Sequence, residues 1–288
     1  MVAKEKKEKC FPILLRSLFQ KESKKEDKIE MKGTKKIAEL FTNTHDTCVL
    51  SCLQDVMGRL YTSQDESSAI AALGSYLYLG GKPTGELLWK ALADMQSGKV
   101  HLIDVSGRWT SLLERFFAGG YKVQTRYALS QEGTVFDTEV LLQNVQMLSA
   151  AYEMKRIDRT LFETCAMEEW SRDFVCNYDS FALFEKHGLG YVILKDGEVV
   201  AGASSYSGYR EGIEISIATR EDFRRQGLAK ICASKLILEC LKKGWYPNWD
   251  AANTKSLALA KQLGYHYAGE YECIEITVPY LQSGQSDI

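Results

Sequence analysis

Residues 190–243 limit the choice of fold more than any other part of the chain. The runs "GYVILK" and "EVVAGASSYSGY" are apolar, and Asp196-Gly197 stands between them. An Asp-Gly pair in that position signals a hairpin, because both turn residues take positive φ. A third run, "EGIEISIAT", follows, so the spacing predicts a three-strand meander. Next comes "EDFRRQGLAKICASKLILECLKKG", which opens with arginines, a glutamine and a glycine and continues as a helix. From Gly227 to Lys243 that helix sets Ala229, Cys232, Ala233, Leu236 and Cys240 on one stripe, the spacing that packs against a sheet. The result is an α/β unit.

The unit extends in both directions. Upstream, "YEMKRID" alternates like a strand, while "RTLFETCAMEEW" and "SFALFEKHG" read as helices. Downstream, "GWYPNWDA" fits a strand, "NTKSLALAKQLG" a helix and "YHYAGEYECIEI" one or two closing strands. Residues 151–280 form a domain of ordinary size. Residues 31–150 are expected to form a separate, α-rich domain with a few strands. Residues 33–98 read mainly as helices: "TKKIAELFTNT", "CVLSCLQDVMGRLY" and "GELLWKALADMQSG" each show apolar residues at helical spacing, and "SAIAALGSYLYLGGKP" ends in Gly-Gly-Lys-Pro, a stop signal. "VHLIDVS", "RWTSLLERFFAGG", "YKVQTRYAL" and "DTEVLLQNVQMLSAAY" then read as strand, helix, strand and helix. Residues 1–30 alternate lysine and glutamate in blocks and are expected to be disordered. Residues 281–288 are expected to be a flexible tail. Met31 opens "MKGTKKIAELF" and reads as a second possible start.

Composition narrows the class further. The chain is 45% hydrophobic with a net charge of −2, which suits a packed core and argues against a general nucleic-acid binder. Eight cysteines occur without a C-x-x-C, and four histidines are scattered among them. No metal site and no disulfide framework is expected; reduced thiols in a cytoplasmic protein are. No run is long enough for a membrane span. Arg16 interrupts the short apolar piece near the start, against a signal peptide.

The glycine-led helix carries the chemistry. A helix N-terminus presents free N–H groups and the positive end of its dipole. Gly227 lets a ligand approach the backbone, and Arg224, Arg225 and Lys230 add charge. Together these suit a diphosphate; a basic surface turn is the plain alternative. Neither G-x-x-x-x-G-K-[ST] nor a strand-linked G-x-G-x-x-G is present, so a P-loop and a dinucleotide fold are not supported.

R-x-x-G-x-A, here Arg224, Gly227 and Ala229, resembles the acetyl-CoA pyrophosphate loop of the GNAT superfamily of N-acetyltransferases. "NTKSLALAKQLGY" resembles that superfamily's next motif, with Asn253, Ser256, Gly264 and Tyr265 on its marked positions. "SCLQDVMGRLY", "QTRYAL", "FRRQGLAK" and "WDAANTKSLALAKQLGY" look like the group that includes the zwittermicin A resistance protein. The resemblance implies a mixed, mostly antiparallel sheet flanked by helices, and acetyl-CoA as co-substrate in a cleft between two splayed parallel strands. Its diphosphate would rest on Arg224, Arg225, Gln226, Gly227, Leu228, Ala229 and Lys230. Its pantetheine arm would lie along the strand holding Ile215, Ile217 and Ala218. Asn253, with Ser256, would bond the cofactor or adjoining loop, or cap a helix, or both.

The resemblance also implies direct attack by an amine on the thioester, with a carboxylate or an ordered water taking the proton. Glu214 is the favoured base and Glu211 the second candidate; each could instead be a solvent-facing residue, and Thr219 is a weaker cleft residue. Many family members carry a tyrosine that protonates the leaving thiolate, and here that position is Ala260. Tyr265 or Tyr267 could reach the sulfur or simply pack. The implied acceptor is a primary amine of a small molecule, with no nucleic-acid or membrane partner; monomer and homodimer stay open. A non-catalytic acyl-CoA-binding module is the alternative, and protein N-acetylation a third reading.

Overall fold

The computed structural model describes residues 34–41, 47–95 and 98–278. The expected prefix 1–30 and tail 281–288 lie outside the described residues. In chain order the elements are α1 (Lys35–Glu39), α2 (Cys48–Leu53), β1 (Arg59–Thr62), β2 (Ser68–Leu73), β3 (Tyr76–Gly81), α3 (Gly85–Ala93), β4 (Gly98–Asp104), α4 (Thr110–Phe117), β5 (Lys122–Ser130) and α5 (Thr138–Gln146). They continue with β6 (Glu153–Arg156), α6 (Arg159–Met167), α7 (Phe181–His187), β7 (Gly190–Lys195), β8 (Glu198–Tyr209), β9 (Gly212–Thr219), α8 (Leu228–Lys242), β10 (Tyr246–Asn248), α9 (Thr254–Gln262) and β11 (His266–Val278).

By contact the chain forms two compact units. The first takes its described residues from Met1–Thr44, Cys52–Gln124 and Glu272–Ile288, the second from His45–Ser51 and Thr125–Tyr271. This division differs from a single cut at residue 150. Helix α5 packs on α8, where the Asn144 amide donates to the Ser234 hydroxyl at 3.1 Å. Residues from Thr125 onward therefore join the second unit.

In the first unit β1, β2 and β3 form an antiparallel meander, and α3 carries the chain over to β4, which runs parallel to β3. The sheet order is β1-β2-β3-β4-β11-β5. Asp65 shapes the β1–β2 turn: its carboxylate accepts from the Ser63 and Ser67 hydroxyls and the Ser67 N–H. Those bonds, Ser63's foremost, hold its pKa down at about 2. The parallel pair stays laddered to its end. Leu79 lies opposite Asp104, the Val105 N–H donates to Leu79 O, and the Ser106 hydroxyl donates to Gly81 O.

The reading of 33–98 as mainly helical is corrected over "SAIAALGSYLYLGG". Alanine favours helix in isolation, but Ala69–Ala72 lie in β2, every residue of which is buried. Gly74 turns the chain with φ 57°, and Leu73 pairs with Tyr76. Burial on both faces replaces alternation with a continuous apolar run, which periodicity does not distinguish from a helix. Likewise the helix in "CVLSCLQDVMGRLY" stops at Leu53, and Arg59 begins a strand.

In the second unit the sheet order is β10-β9-β8-β7-β6, antiparallel from β9 to β6, with β10 parallel to β9. The β7–β8 turn is the expected Asp196-Gly197, with φ 52° and 86°. Helix α8 covers the sheet through Cys232, Ala233, Leu236, Ile237 and Cys240, all buried against Ile193, Val200, Ala203 and Ile213.

Candidate active site

The site is built where β9 and β10 part. The parallel register is Tyr246 with Gly212, Pro247 with Ile213 and Asn248 with Glu214, and there β10 ends. β9 runs on to Thr219, laddered to β8 along one edge only. The chain beyond β10 turns instead to β5. Tyr127 and Ala251 exchange both backbone hydrogen bonds at 3.0 Å. The Arg126 guanidinium grips Asp250 Oδ2 through Nε and Nη2, both at 2.6 Å, and both side chains are about nine-tenths buried. The edge amides and carbonyls of Ile215–Thr219 therefore face a gap, as the backbone groups of a bare strand edge do. Ile215 is buried at its mouth, while Ile217 and Ala218 are half-buried.

From Thr219 a short turn, Glu221–Phe223, leads to Arg224–Gly227 and then α8. Gly227 has φ 79° and stands at the N-cap without a side-chain cap, so no side chain closes off the first turn's N–H groups. A Cβ at Gly227 would meet nothing within 4 Å; the glycine is required by its φ, and the space above it is open. Arg225 is also left-handed, at φ 64°. Arg224, Arg225, Gln226 and Gly227 are exposed, Leu228 is buried, and Ala229 and Lys230 are half-buried. Arg224 pairs with Glu221 at 3.5 Å, whereas Arg225 and Lys230 form no ion pair among the described residues. The Tyr152 hydroxyl donates to Gln226 Oε1 at 2.7 Å, and its ring meets Phe223 edge-on. Uncapped amides, left-handed residues and spare positive charge make a cradle that fits a diphosphate.

Glu214 and Glu211 are separated by the fold. Glu214 is 5% exposed and sits at the parting point. It accepts from the Thr47 hydroxyl at 2.7 Å, the Asn248 amide at 2.5 Å and the Asp250 N–H at 2.9 Å. Glu211 lies exposed in the β8–β9 turn, where its carbonyl accepts from the Tyr246 N–H at 2.8 Å. Thr47 comes from a segment that also bonds β8: the Ser51 hydroxyl donates to Gly208 O at 2.6 Å, and Cys48 Sγ lies 3.3 Å from the Ser207 hydroxyl. Burial, with Glu211 and Glu214 nearby, pushes the Tyr209 phenol up, and burial pushes that of Tyr246 up to about 12.

Asn253 caps α9, its Oδ1 accepting from the Ser256 N–H at 3.0 Å, and the Ser256 hydroxyl accepts from Trp249 Nε1 at 3.1 Å. Neither bonds residues 224–230 among the described residues. Ala260 is fully buried in the core. The Tyr265 hydroxyl donates to Pro247 O at 2.6 Å, its ring packs against Phe136 and Trp249, and burial pushes its phenol far above the usual range. A phenol so placed is a fixed strut. Tyr267 lies beneath the Lys261 ammonium, 4.6 Å away.

Sequence reasoning missed Thr47, Arg126, Tyr152, Asn248 and Asp250. Arg126 stands in "QTRYAL" and Asp250 in "WDAANTKSLALAKQLGY", but the resemblance of those stretches gives neither residue a role. Asn248 lay in a segment read as a strand, and Thr47 and Tyr152 belong to elements remote in the chain. Among the described residues no group of three or more His, Cys, Asp or Glu could hold a metal ion, and no helix is long and apolar enough to cross a membrane.

Comparison with known proteins agrees with this fold. A solved structure of a GCN5-related N-acetyltransferase-like protein from Streptococcus suis 89/1591 is 42% identical, covering 83% of this chain and 96% of that one, with a TM-score of 0.78. A GCN5-related N-acetyltransferase from Kribbella flavida, 14% identical with a TM-score of 0.51 and covering 80% and 94% of the two chains, shares the fold. An uncharacterized N-acetyltransferase of Bacillus subtilis (strain 168), YdfB, is 28% identical over 183 residues. That match covers 61% of this chain and 65% of the relative, just under two thirds of its length. The GNAT acetyltransferase family model matches residues 38–274, and the chain belongs to that family.

Proposed function

We propose that the protein transfers an acetyl group from acetyl-CoA to a primary amine of a small molecule. The parting of β9 from β10 after Glu214–Asn248, beside an uncapped, glycine-led helix, is the observation that carries this reading. Residues 224–230 would hold the diphosphate, and the β9 edge at Ile215, Ile217 and Ala218 the pantetheine arm. Acetyl-CoA supplies an activated thioester; the protein's part is to fix it and to receive a proton. The amine nitrogen bonds to the carbonyl carbon, the carbon–sulfur bond breaks, and the nitrogen gives up a proton. Glu214 is the proposed acceptor, because its carboxylate sits at the parting point. With Ala260 in the core, the thiolate leaves without a phenol's help, which thiol acidity permits.

Resemblance to the zwittermicin A resistance group supports an aminated, antibiotic-like acceptor. CoA release over a panel of such amines tests the reading. Acetyl-CoA binding without release on any amine would favour the non-catalytic acyl-CoA module.

A second role for Glu214 is favoured by the donors from Thr47, Asn248 and Asp250, which suit an anchor joining β9 to the segment after β10. Glu214→Gln separates the roles. A base predicts that kcat/KM falls about 100-fold, within the usual range for lost general-base catalysis, with loss of the acid limb of the pH profile. An anchor predicts a lower Tm and a uniform fall at every pH.

A further inference from the structure

Parallel strands of one sheet stay together unless something draws them apart, because each ladder bond they keep satisfies a backbone group. β10 leaves β9 after one short register, and the chain beyond it is bonded elsewhere. Immediately after β10, Asp250 and Ala251 are held by β5. Ala251 exchanges backbone bonds with Tyr127, and Asp250 receives the Arg126 guanidinium through two of its nitrogens. The Asp250 N–H meanwhile donates to Glu214, so one residue is gripped on its side chain by β5 and on its backbone by β9. Arg126 is 8% exposed. A buried charge pair of this kind is weak evidence for stability, and its better-attested use is to fix one arrangement over another.

We propose that the Arg126–Asp250 pair is a positioning device. It holds the chain after β10 against β5, and so keeps the β9 edge at Ile215–Thr219 open to receive the pantetheine arm. Neither residue touches the donor; both act through the strand separation. The function of the gap rests on the acetyl-CoA reading above, whereas its dependence on the pair does not.

The test uses the full chain with Arg126→Met, which keeps the stem and removes the fork, and Arg126→Gln, which keeps one donor and no charge. Dissociation constants are measured for acetyl-CoA and for S-acetyl-pantetheine, which lacks the diphosphate. Both donors should bind at least tenfold more weakly to a folded Arg126→Met protein, and to an intermediate degree to Arg126→Gln. A merely structural pair would lower Tm and leave both constants unchanged, which overturns the proposal. If Arg126→Met fails to fold, wild-type affinities in folded Arg126→Gln overturn it equally. Hydrogen exchange at Asp250 and Ala251 in the ligand-free chain reads the separation without any donor. Faster exchange is expected in the variants, and unchanged exchange refutes the pair's role even if the wild-type protein binds neither donor. Absence of wild-type donor binding with accelerated exchange would instead overturn the acetyl-CoA reading and leave the pair's role standing.

Discussion

The hydroxyl of Tyr152 donates to the amide oxygen of Gln226 across 2.7 Å, tying the chain just before β6 to the loop that opens α8. The tyrosine is braced by Phe223, edge-on, and by the Lys195 ammonium over its ring. A loop with two left-handed residues has few ways to relax once one side chain is pinned.

Tyr152→Phe removes that bond and keeps the ring. A net hydrogen bond contributes about 0.5–1.5 kcal/mol, less when exposed, so acetyl-CoA affinity should fall roughly threefold. S-acetyl-pantetheine, which lacks the diphosphate, should bind as before. Equal loss for the two donors in calorimetric titration would show that Tyr152 supports the fold and not the loop.

At Gly227, space and conformation can be separated. A Cβ there meets no neighbour, yet φ is 79°, so Gly227→Ala should cost about 1–2 kcal/mol of backbone strain and weaken acetyl-CoA binding modestly. Gly227→Glu adds a carboxylate over the first-turn amides and should abolish binding in a protein that still folds. Retained affinity in folded Gly227→Glu would sink the assignment of the diphosphate.

The thiols should be inert. Burial pushes Cys165 and Cys240 up to about 12, and Cys176, the one exposed cysteine among those described, up to about 11, by burial first and then by Asp173. A thiol reacts as its thiolate, so alkylation of these three at pH 8 should be slow and should accelerate only as pH approaches 11. Rapid labelling at pH 8 would contradict these surroundings. Cys176→Ser should leave turnover unchanged.

A fragment beginning near Ala150 would lack Arg126, Tyr127 and the α5 face that covers Ser234 on α8. It should bind acetyl-CoA at least tenfold more weakly than the full chain, or fail to fold. Wild-type affinity in such a fragment would support a domain boundary near residue 150.

What the sequence made legible follows from what is local. The Asp196-Gly197 turn, the three-strand meander and the stripe on α8 depend on residues a few positions apart, and each appears where the spacing placed it. Asn253 could be read as an N-cap for the same reason. The strands over 68–81 were misread because burial on both faces erases the alternation that marks a strand. The partners of Glu214 were invisible because Thr47 stands 167 residues away in the chain, and Arg126 reaches Asp250 across 124. Whether a carboxylate is saturated with donors depends on which distant elements meet, and no spacing rule reports that.

The first unit repeats the same topological plan: a meander, a helix, then a strand parallel to the last of the three. There, however, Leu79 and Gly81 remain joined to the strand that returns, up to Val105 and Ser106. A zipped pair of strands offers no slot for an acyl carrier. Occupancy should therefore saturate at one acetyl-CoA per polypeptide, although the architecture occurs twice.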